Sequence, residues 1–564
     1  GKPQNGKITG VVYDEKGLPL PGATIRLLGT QSTGTVTDDN GHFTLQVTST
    51  QDELVISFIG YKAQTVKLNG KTDIRVKLEP ESLEMETVIA TGYYPKAKNS
   101  FTGTAVVVNG NDLRNVNNTS FFDALKVFDP SFKVIDERGM YGSDPNRVPD
   151  RIEIRGQNSF PEISESNLKT VTSLPVFILD GFEISVEKVY DLDMNRIASV
   201  TILKDASAAA IYGSRAANGV IVIESKNPEA GKLQISYTFN GSLQVPDLSS
   251  YNLMNAAEAL EFQRLAGVFD ASEPGEDAGN KLNSYNVIRK EIMSGVNTYW
   301  LSKPLQVSFQ HRHSLFIEGS VKKQKETEGT LRYQINLSGG GTKGVMKGSE
   351  RNQISAGTKL LYQHKKLNIT NDLHFSRVTS QESPYGSFSS YTQALPYHRE
   401  KDENGKYYRT LSLQNVAPEG MTLGISDQQL SPVYEAKYLS SFTTNENLDF
   451  YNNFGINWEV VSGLRLKGNF KISNETNRMD VYQSPMSYSY IRDNDNTVND
   501  PNVLFHRGQY TLGNSSGLTL SGNVVVSYTL NINKHLFQGI VGGELKQQDS
   551  RSDSYVVTGF MNDA

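Results

Sequence analysis

Cysteine is absent from all 564 residues. Disulfide stapling and thiol chemistry are therefore excluded, although a zero cysteine count names no compartment. Long apolar runs are missing too. No stretch approaches the roughly 18 residues that a membrane-spanning helix needs, and mean hydropathy is −0.43. Neither fact excludes a membrane β-barrel, whose lumen face and loops are polar. A formal charge of only −5 leaves no basic footprint, so no nucleic-acid partner is expected. No signal-peptide pattern opens the chain, which fits a mature exported form or a chain that is not exported. Catalytic signatures are lacking as well. There is no nucleophile elbow and no His-Glu zinc helix, and the reading is that the chain is not an enzyme.

What is present is short alternating strands. Residues 1–80 carry ITGVVYD, ATIRLL, GTVT, HFTLQV, ELVISF and DIRVKL, with turn signals at Gly17, Asn40-Gly41 and Asn69-Gly70. The last two are hairpin signals, and the spacing predicts a small β-sandwich. Asp38-Asp39-Asn40-Gly41 lacks the spacing and closing Glu of a calcium loop and reads as a turn. Residues 81–100 form a linker. Its centre, Thr87-Val88-Ile89-Ala90-Thr91, is β-prone with no hairpin partner nearby. It reads either as a lone edge strand or as a peptide offered to another protein's sheet edge.

Residues 101–230 look α/β. VPDRIEIRG and LPVFILDGFEI are strands, and Asp180-Gly181 between apolar runs reads as a hairpin turn. ASVTILKD leads into the small-residue run Ala206 to Ala210 and GVIVIESK leaves it. That run should be helical. It buries little apolar area, which suits close backbone approach rather than ordinary core packing.

From residue 231 to 564 the period becomes two. In LRLKGNFKIS, Leu464, Leu466, Gly468, Phe470 and Ile472 alternate with Arg465, Lys467, Asn469, Lys471 and Ser473. Nine such strands start near 232, 313, 330, 353, 366, 447, 463, 517 and 535. Tight turns at 364–366, 461–463 and 533–535 alternate with longer connections at 244–305, 340–352, 378–444 and 476–516. Strands of about ten residues with short turns on one side and long loops on the other are the outer-membrane barrel pattern. The Phe470 and Ile472 face is then expected to meet lipid, and the Lys471 face the lumen. Open edges are not tolerated in lipid. A plugged lumen takes about 22 strands, so roughly 13 further strands are expected to complete the wall.

Several features are candidates for binding. GGGTKG at 339–344 lacks Walker spacing and reads as a hairpin tip. His311 and His313 share a strand face without a third ligand and read as a solvated pair. Asp493 and Asp495, in a loop rich in oxygen donors, are the candidate ligands of a structural calcium ion; no other cofactor is expected. Tyr385 and Tyr391, with other tyrosines of the long loops, are candidates for stacking on a ligand.

The segment LKDASAAAIYGSRAANGVIVIESK resembles the plug signature of SusC-like (SusC/RagA family) TonB-dependent outer-membrane transporters of Bacteroidetes. LPVFILDG, RIEIRGQNSF and METVIATGYY resemble that family's upstream plug segment, its Arg-Gly loop, and its TonB box with the segment that follows. Residues 6–45 resemble its carboxypeptidase-regulatory-like domain. The resemblance implies a β-rich multidomain chain: a carboxypeptidase-regulatory-like β-sandwich (1–80), a TonB box and linker (81–100), an α/β plug domain (101–230), and part, about nine strands, of a 22-stranded antiparallel transmembrane β-barrel (231–564). It implies an outer-membrane location with the first domain in the periplasm. The implied activity is TonB-dependent import of an oligosaccharide or peptide. The implied partners are the TonB-ExbB-ExbD complex, a SusD-like lipoprotein lid and the lipid bilayer. Glu86, Thr87, Val88, Ile89, Ala90 and Thr91 fall on the TonB-binding segment, and Arg155, Gln157 and Asn158 on the Arg-Gly loop as ligand-binding candidates. Ala206 to Ala210 are expected to pack against the plug's own sheet or the barrel wall. A receptor or adhesin that binds without transporting is the other reading; it would not need the TonB box.

Overall fold

The computed structural model describes residues 6–14, 17–28, 34–47, 53–58, 61, 63–78, 88–90, 95–97, 104–135, 144–149, 151–154, 174–204, 212, 216, 218–271, 277–321, 329–490, 507–532, 535–560 and 563. They fall into two units, one comprising Gly1–Ile89 and Pro95–Phe101, the other Ala90–Tyr94 and Thr102–Ala564.

The first unit contains β1 (Gly6–Tyr13), β2 (Thr24–Leu27), β3 (Gly34–Val36), β4 (His42–Val47), β5 (Glu53–Ser57), β6 (Gln64–Lys67) and β7 (Asp73–Lys77). They form two sheets, β4-β1-β7 and β3-β2-β5-β6. Alternation along each strand sends Ile8, Val12, Ile25, Phe43, Leu54, Ile56 and Val76 into one shared core. Both turns that read as hairpins prove to be corners. Asn40-Gly41 joins β3 to β4, and Asn69-Gly70 joins β6 to β7, each pair lying in different sheets. Asn69 and Gly70 do take the left-handed backbone such a turn requires. The local signal was right, but burial of two apolar faces against one another chose the pairing. β8 (Val88–Ala90) pairs with β9 (Pro95–Ala97), so the β-prone linker segment has a local partner after all.

The second unit opens with an α/β domain. β10 (Ala105–Asn109), β11 (Phe132–Ile135), β12 (Arg151–Ile154), β13 (Val176–Leu179), β14 (Phe182–Ile184), β15 (Ile197–Leu203) and β16 (Val220–Ser225) are its strands. The main sheet runs β10-β15-β16-β13-β14, with β11-β12 as a separate ribbon. Asp180 and Gly181, both at positive φ, close the β13–β14 hairpin as expected. Three short helices are each capped by a polar side chain. Asn109 caps Gly110–Val116, Ser120 caps Phe121–Phe128 and Ser185 caps Val186–Tyr190; such caps satisfy amides the helix leaves unpaired. Leu113, Phe122, Leu125, Phe177, Val200, Ile202 and Ile223 close the core.

A nine-stranded antiparallel meander follows. Its strands are β17 (Gln234–Gln244), β18 (Ser308–Ser320), β19 (Thr330–Lys343), β20 (Glu350–His364), β21 (Leu367–Gln381), then, after the two-residue strands β22 (Thr410–Leu411) and β23 (Gln429–Leu430) of the loop between, β24 (Phe442–Val461), β25 (Leu464–Gln483), β26 (Gln509–Ile532) and β27 (His535–Thr558). All nine expected strands are present in consecutive order. They are longer than the expected ten residues: β24 to β27 run 20 to 24. The outer face explains why. Trp458, Ile456, Phe454 and Phe450 of β24 lie level with Leu466, Gly468, Phe470 and Asn474 of β25. Two rows on, past Leu448 and Thr476 and toward the long loops, Glu446, Arg478 and Asp553 fall in register. Roughly 9–11 tilted residues cross the hydrocarbon, so the charged row marks where the strands leave it and continue outward. Gly339–Gly341 lie inside β19 rather than at a hairpin tip, which falls instead at 344–349.

Candidate functional site

Where a strand is lined by lipid on one side, the other side is free to be polar. Here that polar face holds the α/β domain. On β25, Phe470 is 50% exposed and Lys471 only 7%. The Lys471 ammonium sits 5.4 Å from the Phe182 ring of β14 and 4.9 Å from the Tyr451 ring of β24. Inner and outer faces are therefore assigned as expected.

The contacts are dominated by charge. Arg196, buried just before β15, reaches both ring nitrogens of His374 on β21 at 3.0 and 3.2 Å and donates to the Tyr451 hydroxyl at 3.1 Å. Lys188 pairs with Asp449 at 2.8 Å and Glu475 at 3.0 Å. Asp191 accepts a two-pronged pair from Arg351 at 2.9 and 2.6 Å. Ser314 donates to Asp193 at 2.7 Å. Lys359 of β20 donates to the Ser225 hydroxyl at 2.7 Å and to the Lys226 carbonyl at 3.2 Å. Such charge-assisted bonds contribute about 1.5–3 kcal/mol each.

Burial and partners compete over the protonation of the domain's groups. Burial works against the Lys188 ammonium, but Asp449 and Glu475 outweigh it and hold its pKa above the ordinary lysine value. Arg196 behaves alike: burial opposes its charge, and Tyr451 and Asp372 more than compensate. Burial would raise the Asp180 carboxyl, yet Lys359 and the Ser225 bonds hold it below the usual range. Charged forms thus persist at an interface that is largely shut off from water. Between the domain and the wall lies a cavity of about 370 Å³, lined by Arg147, Glu187, Glu382, Asn445 and Asn477 among others.

The residues singled out from sequence are placed as follows. Val88, Ile89 and Ala90 form β8; Glu86, Thr87 and Thr91 lie outside the described residues, as do Arg155, Gln157, Asn158, Asp493, Asp495 and Ala206 to Ala210. Tyr385 and Tyr391 are not on a ligand-facing surface. They are 8% and 0% exposed and pack with Trp300, Leu301, Leu411 and Val433 in a loop core. The Tyr391 hydroxyl donates to the Pro432 carbonyl at 2.7 Å. His311 and His313 stand on the outer face, with His313 against Tyr237 and Phe239, so an aromatic cluster replaces the expected solvated pair. The residues that bond domain to wall were not picked out individually. Their signal was the charged residues at inward positions of the alternating strands, such as Arg351, Lys359, Asp449 and Glu475.

Comparison with known proteins fits this geometry. The CarboxypepD_reg-like domain model matches residues 8–90, and the TonB-dependent Receptor Plug Domain model matches residues 97–220. The chain is 28% identical over 374 residues to the TonB-dependent receptor SusC of Bacteroides thetaiotaomicron, covering 64% of this chain and 33% of that protein. It is 32% identical over 268 residues to the TonB-dependent receptor P26 of Formosa agariphila, covering 46% and 25%. In fold it resembles the RagAB peptide importer in its open-open state, with a TM-score of 0.63 at 20% identity, covering 85% of this chain and 51% of that one. The chain spans about a third of the length of the SusC relative. The chain thus carries a TonB-dependent receptor plug domain bonded to the polar face of an antiparallel sheet whose other face is apolar. Among proteins of that kind, the chain is similar to the TonB-dependent receptor SusC over the segments that align.

Proposed function

We propose that this chain is part of an importer that takes an oligosaccharide or a peptide across the outer membrane, driven by TonB with ExbB and ExbD and covered by a SusD-like lipoprotein. The observation that carries the reading is the plug held on the polar face of the wall by Lys188, Asp191 and Arg196. A domain seated there obstructs passage until it moves, and movement against several charged bonds calls for an external source of work. The segment Glu86–Thr91 is the proposed handle. It precedes the plug, and β-branched residues at its centre favour an extended strand that can pair with a sheet edge of TonB. Relatives that are TonB-dependent receptors, and a structural neighbour that is a peptide importer, support this class of activity.

The test is an in-frame deletion of Glu86–Thr91 in the native strain. Growth on a panel of glycans and peptides should be lost while surface binding of the same compounds is retained. Thr91→Pro should weaken growth partially by removing one backbone donor. Wild-type growth of the deletion strain would instead favour a receptor that binds without transporting.

A further inference from the structure

Two cavities stand one above the other along a single seam between plug and wall. The cavity of about 370 Å³ meets β21, β24 and β25 at His374, Tyr451 and Lys471. A second, of about 500 Å³, lies on the side of the short turns and meets the same strands at Asp372, Asn453 and Asn469. Each of these is the next inward position along its strand. One layer of side chains therefore separates the two spaces.

The layer turns on Lys471. Its ammonium lies 5.4 Å from the ring of Phe182, which lines the second cavity, and 4.9 Å from the ring of Tyr451. Lys471 is 7% exposed. Among the described residues no carboxylate lies within ion-pair reach of it, and two ring faces hold the charge instead. Its register partner on β24 is Asn453, which pairs in turn with Asp372 of β21. The three residues form one row across the inner face. Two acceptors in that row are idle: Asn453 Oδ1 and Asp372 Oδ2 are buried without a hydrogen bond. Burying an unpaired acceptor is costly. Strands lie roughly 4.8 Å apart, so the Lys471 and Asp372 backbones are separated by about 10 Å, a gap the two side chains can close between them. A donor held by rings and two acceptors without donors, all in one row, give the ammonium a second seat.

We propose that Phe182, Tyr451 and Lys471 are a gate in the ligand's route, and that the route follows the seam of the plug against β21, β24 and β25. With the ammonium between the rings, the two cavities are separate. When it moves onto Asn453 and Asp372, the gap between Phe182 and Tyr451 is no longer filled and the cavities join. The move exchanges cation–ring contacts for charge-assisted hydrogen bonds. The proposal rests on the import reading for its ligand, but the gate can be tested without one.

The experiment is ionic current through the whole receptor in a planar bilayer, with neither ligand nor TonB. Each variant is first shown to keep the wild-type gel mobility. Wild type should insulate, and Phe182→Ala with Lys471→Ala should give discrete current steps. Leu113→Ala hollows the plug core and should stay at the wild-type leak; if it conducts alike, a loosened plug accounts for the current and the proposal falls. None of the 564 residues is cysteine, so single cysteines in the double-alanine background trace the route. Sulfonatoethyl methanethiosulfonate should reduce the steps at Asn457→Cys, in the second cavity, and leave them unchanged at Glu318→Cys of β18, outside the seam. No steps, no block at Asn457, or equal block at Glu318 overturns the proposal. Lys471→Met approaches from the closed side: it fills the space between the rings but cannot take the second seat. It should insulate, and growth on the panel of glycans and peptides should fall while surface binding is retained; wild-type growth overturns the gate. If growth on no compound depends on the wild-type receptor while the currents behave as expected, the gate stands and the import reading fails.

Discussion

Phe470 and Lys471 are consecutive in β25 and occupy opposite worlds. The ring is half exposed on the outer face, while the ammonium is buried between Phe182 and Tyr451. Period-two geometry makes this unavoidable once the strand is in register. Because the outer apolar row of β25 runs from Leu464 to Ile472 and gives way to Asn474, Phe470 lies nearer the centre of the apolar band than Ile472 does.

Phe470→Arg should therefore destabilise the wall by about 2–4 kcal/mol, with Ile472→Arg costing less because it lies closer to the interface. The check is a refolding titration into phospholipid vesicles read by gel mobility. Equal costs for the two, or no cost for either, would move the bilayer away from this band.

Gly110 opens the first plug helix directly over the start of β15. A Cβ there would run into the carbonyl oxygen of Ile197. Gly110→Ala should thus force helix and strand apart at a cost of about 1–3 kcal/mol, the usual range for overpacking. Ala is otherwise the better helix residue by about 1 kcal/mol, so a purely local view expects the opposite sign. Plug resistance to limited proteolysis distinguishes them.

His398 lies in the long loop between β21 and β24, 3% exposed. Its Nε2 stands 3.4 Å from an Asp427 oxygen yet makes no hydrogen bond. Burial lowers its pKa to about 4, and proximity to the carboxylate does not offset this, since the neighbouring Asp427 carboxyl is itself pushed up by burial. The sign follows from linkage. The unfolded loop takes up a proton near pH 6.5 and the folded loop only near 4, so stability is complete above about 6.5 and falls as pH drops toward 4. The loss approaches about 3 kcal/mol at the lower end, since each pH unit across that window carries up to about 1.4 kcal/mol. Asp427, raised in the folded state, contributes in the opposite sense at low pH. Hydrogen exchange of residues 395–430 should quicken between pH 6.5 and 4, and His398→Gln should flatten that dependence.

Much of this architecture was legible from one chain. Strict alternation in LRLKGNFKIS specifies two unlike faces, because a strand has only two sides. Short and long connections in turn specify which ends face the same way. The plug was carried by motif resemblance. Strand length was not legible: alternation continues past the lipid boundary, and only the register of Glu446 with Arg478 and Asp553 shows where the apolar band stops.

Sequence by itself determined the element types, their order and the inward or outward sense of each strand residue, since these depend on neighbours a few positions away. Tertiary structure alone decided that Asn40-Gly41 and Asn69-Gly70 are corners between sheets, that Tyr391 is loop core, and that Lys188, Asp191 and Arg196 find Asp449, Arg351 and His374. Those outcomes depend on partners brought together from far along the chain, with Arg196 and Tyr451 separated by 255 residues. A charged side chain shows in sequence that it needs a counterpart when buried; which one it meets is settled only when the plug is seated on the wall.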